Sequence, residues 1–146
     1  MLKTLDRGVM KHIFIAFGLL WIGIWLIFGM FLFIWHGPYL EESRHLIAEG
    51  NLPRLVDKMA AWENSVAAFF HALGLALVTI TLGAFSSDFD FSPRAKKALI
   101  PMQLAGVAIS GLCHLADFIP GMVAGECLVF SVIIVCFVKW MKIITK

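Results

Sequence analysis

Along this chain, polar residues fall into clusters that leave four long apolar runs between them, at 12–35, 59–85, 98–119 and 121–141. Each reaches the roughly 20 residues that a helix needs to cross a bilayer. The first run, HIFIAFGLLWIGIWLIFGMFLFIW, carries no charge after His12. It is too long and too aromatic for a signal peptide, and no small-residue cleavage site follows it, so it is expected to stay in the protein. After Trp35, HGPY predicts a helix break; EESRHLIAE then reads as a short amphipathic helix, ended in turn by GNLPR. Its apolar residues Leu40, Leu46 and Ile47 predict a place on the outer membrane surface or across the bundle's end. The polar stretch SSDFDFSPR, with phenylalanine at alternate places, predicts an interfacial turn. FIPGM is almost no loop at all, so the third and fourth runs are expected to be antiparallel neighbours. The fold expected is all-α: one domain, 1–146, an integral membrane bundle of four spans with a small outer helix.

Composition agrees with the pattern. The 146 residues are 60% hydrophobic and 15% charged, with a mean hydropathy of +0.88; soluble domains are nearer half apolar and a quarter charged. A formal charge of +2 is too small to point to nucleic acid. Cys113, Cys127 and Cys136 all lie within apolar runs, without paired spacing, and read as buried thiols rather than a disulfide or zinc framework. Charge also suggests an orientation. Lys3, Arg7 and Lys11 precede the first run, Arg94, Lys96 and Lys97 lie between the second and third, and Lys139, Lys142 and Lys146 end the chain. The other side has Arg44, Arg54 and Lys58. Excess positive charge marks the cytoplasmic face, so both termini are expected there, in a membrane of the bacterial inner type.

Polar groups inside the runs are few and aligned. Gln103, Ser110 and Asp117 recur every seven residues, with His114 three before Asp117, so one face of the third helix carries a polar stripe. Asn64 and His71 are likewise seven apart on the second, beside Glu63, and Glu126 lies in the fourth. Lipid would leave these groups unsatisfied, so the stripe is expected to face protein or a cavity. Because neighbouring spans alternate in direction, Glu63, Asn64, His114, Asp117 and Glu126 converge in the outer half, with His71 deeper. Each has a plainer reading beside this one. Glu63 can snorkel to the interface, Asp117 can bond backbone at the turn, and His114 can tie two helices together. His36 and His45 read as interfacial residues.

Such a site admits several occupants. Imidazole ligates haem b or a metal ion, and His71 with His114 is the candidate pair. Their heights should differ by roughly 8–10 Å, which sets two axial histidines at odds within one subunit. Glu63, His114, Asp117 and Glu126 form an alternative metal set. A proton or solute pathway along Gln103, Ser110, His114 and Asp117 is a second class, and a structural subunit of a larger membrane complex a third. GMVAG (121–125), Gly106/Ser110 and Ala68/Ala72/Ala76 have the four-residue step of close helix packing, within the chain or in a homo-oligomer. The Trp- and Phe-rich first run reads as facing lipid or a partner.

The opening MLKTLDRGVMKH, together with LGAF, RAKKAL and a polar third span, resembles the styrene-oxide isomerases, small four-helix membrane proteins. The resemblance covers about the first dozen residues and 74–117. It implies cytoplasmic termini, a trimer, and a b haem held by a histidine early in the second span, whose iron opens an epoxide as a Lewis acid. Where that histidine would stand, this chain reads AWENS, Ala61 to Ser65, and its nearest histidine is His71.

Overall fold

The computed structural model describes residues 2–89 and 91–145, with side chains from residue 8 on. Of the basic residues above, Lys146 and the side chains of Lys3 and Arg7 fall outside that description. Four helices follow in order: α1 (Leu2–Ala48), α2 (Leu52–Phe85), α3 (Pro93–Leu115) and α4 (Ile119–Ile144). All four are long and apolar enough to cross a membrane. Helices α1 and α2 pack as one hairpin, α3 and α4 as another, and the hairpins join mainly through α2 and α3.

Local chemistry explains the turns. Gly50 adopts φ +69° after α1, where Gly50 N–H bonds Ile47 O and Asn51 N–H bonds Leu46 O. This is the left-handed helix stop that glycine favours. The Asn51 side chain then accepts from Arg54 N–H at the start of α2. Ser92 caps α3 by accepting from Ala95 N–H at 3.2 Å, with Pro93 already set for the first turn. The α3–α4 turn repeats the glycine device with a different residue. Asp117 takes φ +52°, its N–H bonds His114 O, and Phe118 N–H bonds Cys113 O.

Small residues set the packing. A Cβ on Gly125 would lie 2.5 Å from the Ser110 backbone nitrogen, and one on Gly106 would lie 2.8 Å from Gly125 O. GMVAG and Gly106/Ser110 therefore close the α3–α4 contact inside the chain. Ala68, Ala72 and Ala76 are fully buried and let α1 approach α2.

Four sequence expectations change. HGPY does not break the helix: α1 runs through Pro38, and EESRHLIAE is its last turns rather than a separate surface helix. Proline removes one backbone bond, but beyond it Tyr39 stacks on Trp62, Glu42 pairs with Lys58, and Leu46 is buried. Contacts with α2 thus carry the helix past its weak point. Trp21 and Trp25 turn inward and are nearly fully buried, while Leu20, Met30, Phe33 and Trp35 face outward. Phe89 and Phe91 fold back against Met10, Phe14 and Leu99 to close the end of the bundle. Of the cysteines, only Cys136 is buried; Cys113 is half-buried and Cys127 exposed, and all three are free thiols.

Candidate functional site

Between α2 and α3 lies a ladder of three polar rungs. At the α3–α4 turn end, Asn64 Nδ2 donates to His114 O at 3.1 Å. Next, His71 Nε2 meets Ser110 Oγ at 3.0 Å. Deepest, Gln103 Nε2 donates to Thr79 Oγ1 at 2.9 Å. The antiparallel pairing turns the steps read along each helix into facing partners. Thr79 escaped the sequence reading because it follows His71 by eight residues and its hydroxyl also bonds Leu75 O within its own helix.

Glu126 joins the middle rung. Its neighbour Gly125 is pressed against α3, and from there Glu126 Oε1 reaches His71 Nε2 at 3.3 Å. The pair bridges α2 and α4, whose backbones make little contact with each other. Beside it, Leu75, Val78, Val129, Phe130 and Ile133 line an apolar groove of about 290 Å³ that contains both His71 and Glu126. The His71 side chain is 29% exposed, Glu126 34%. Behind the pair, the imidazoles of His71 and His114 lie with ring centroids 5.1 Å apart and planes tilted by 37°. His114 Nδ1 is buried without a hydrogen-bond partner in the chain, a state that costs about 1–3 kcal/mol.

This arrangement corrects several expectations. The two rings meet instead of standing at different heights, because His71 faces Ser110 one turn below His114 and both side chains lean together. The set Glu63, His114, Asp117 and Glu126 is not gathered. Glu63 is exposed on α2, Asp117 is exposed at the turn it shapes, and among the described residues no three His, Cys, Asp or Glu side chains are placed to hold a metal ion. His36 stacks near Tyr39 and Trp62, away from the site.

The chemistry is restricted by one atom. Ser110 and Glu126 both approach Nε2 of His71, so hydroxyl and carboxylate compete for a single nitrogen. A serine nucleophile activated by a histidine needs its acid partner on the other ring nitrogen, an arrangement that differs from the one seen here. What remains is an imidazole whose tautomer a carboxylate sets and whose Nδ1 neither group uses. Comparison of the chain with protein-family models, curated proteins and solved structures gives no match.

Proposed function

We propose that this is an integral membrane protein that binds a flat, largely apolar cofactor, haem b, through His71 in the groove between α2 and α4. One observation carries the reading: a histidine at mid-helix opens on an apolar groove while Glu126 and Ser110 hold one of its nitrogens. Ionisable side chains at such depth are expensive and commonly functional. The aliphatic and aromatic wall suits a macrocycle, and a single imidazole is a sufficient axial ligand. His114 supports His71 from behind rather than binding the same iron. Haem supplies an iron centre able to act as Lewis acid or electron carrier. Positive-charge bias places the chain ends in the cytoplasm and the His114–Asp117 end outward.

Haemin titration of the detergent-purified chain tests this. A Soret band saturating at one haem per chain is expected. His71→Ala should weaken binding by at least about tenfold, the scale of a lost metal ligand or its partner, and Glu126→Gln should shift the band with less loss. No saturable band, or an unchanged isotherm in His71→Ala, rejects haem. Epoxide isomerisation becomes worth assaying only in the loaded protein.

A further inference from the structure

A second groove lies at the end of the α1–α2 hairpin, independent of the His71 site. On α1 it is lined by Trp35, Pro38, Tyr39 and Glu42; on α2 by Lys58, Ala61, Trp62 and Ser65. Both sets follow the step i, i+3, i+4, i+7, so one face of each helix forms a wall. The space measures about 290 Å³. Its character changes along its length. Trp35 is the last residue of the first apolar run and is 66% exposed. Tyr39 and Trp62 stack at 4.6 Å between centroids. Glu42 pairs with Lys58 beyond them, and Arg54 stands 3.6 Å from Glu42 at the rim.

Depth and charge narrow the ligand. Glu42 follows Trp35 by seven residues, about 10 Å of helix, while the headgroup layer adds about 5–8 Å to each side of the hydrocarbon core. The ion pair therefore sits at the outer margin of the headgroup layer, above an aromatic belt and within reach of headgroup charges. Glu42 beside Lys58 and Arg54 offers partners to both charges of a group that carries an ammonium and a phosphate, whereas a phosphate without an ammonium leaves Glu42 unanswered. The aromatic wall already accepts a cation, since Lys58 Nζ lies 5.8 Å from the Tyr39 ring centroid.

We propose that this groove binds the headgroup of a zwitterionic phospholipid. Its ammonium lies against Glu42 and the faces of Trp35 and Tyr39, and its phosphate takes Lys58 and Arg54. Binding exchanges the Glu42–Lys58 pair for two such pairs with the lipid, without net change of charge. Native mass spectrometry of the full chain, incubated with phosphatidylethanolamine, phosphatidylcholine or phosphatidylglycerol, tests it. The two zwitterionic lipids should be retained over phosphatidylglycerol by about fivefold, the scale of one exposed charge contact. Glu42→Gln should erase that preference. Ala61→Phe, at an exposed wall position, should remove the retained lipid while leaving haemin titration unchanged. Equal retention of the three lipids, or a preference that survives Glu42→Gln, overturns the proposal. Binding of soluble glycerophosphoethanolamine without retention of lipid overturns the lipid as its source.

Discussion

Asp117 stands where a glycine would be at ease. With φ +52° it closes α3 and turns the chain into α4, and a non-glycine residue in that conformation costs roughly 1 kcal/mol. Asp117→Gly should therefore raise thermal stability in detergent and leave haemin binding intact. A loss of binding would put the carboxyl back in the site. Gln103 invites a different substitution. Its Nε2 has Thr79, but its Oε1 is buried with no partner. Gln103→Met removes both polar groups at similar volume and should be neutral or stabilising, whereas Thr79→Val strands the amide and should destabilise by about 1 kcal/mol. Gly125→Ala forces a Cβ to within 2.5 Å of backbone and should lower stability by roughly 1–3 kcal/mol. Gly74, which has nothing within 4 Å, should accept alanine without loss.

Among the elements, α1 departs furthest from its sequence pattern. Pro38 and Gly37 carry a strong local signal for a break, and the contacts that override it come from α2, some twenty residues away in the chain. Local propensity cannot register them. The Glu42–Lys58 pair gives this segment a pH dependence. The Lys58 hydrogen bond, followed by the charges of Lys58 and Arg54, holds the Glu42 carboxyl below its ordinary value of 4.5. Its folded-state value being the lower one, its contribution is complete above about pH 4.5 and fades as pH falls through the depressed value. Hydrogen-exchange protection factors over residues 39–48, taken against the intrinsic rate at each pH, should fall on acidification through that range, and Glu42→Gln should flatten the response. By contrast, α2, α3 and α4 were legible as apolar spans because run length alone identifies them. The α3–α4 hairpin followed from the shortness of FIPGM. The inward turn of Trp21 and Trp25 did not follow, since a helix that is apolar all round gives no sign of which face meets its neighbours.

At the scale of the whole molecule, two hairpins share a polar seam, and α4 completes it through one side chain. Heptad steps and alternating helix direction led to an expected convergence of Glu63, Asn64, His114, Asp117 and Glu126 with His71 deeper; Asn64, His71, His114 and Glu126 lie along the seam, while Glu63 and Asp117 are exposed. Which atoms meet was not legible, because it depends on the stagger of α2 against α3 and on the close approach at Gly125. The same alternation sends both chain ends to one end of the bundle, and the proposal that the lysine and arginine excess marks that end as cytoplasmic can be tested directly. Glu49→Cys should then react with a membrane-impermeant thiol reagent added outside cells, and Ser87→Cys should not. The most direct measurement of the central claim, that His71 and Glu126 form one intramembrane site across α2 and α4, is a double-mutant cycle on unfolding in detergent. His71→Ala, Glu126→Ala and the double variant should show a coupling of about 0.5–3 kcal/mol; additivity within about 0.3–0.5 kcal/mol would contradict it.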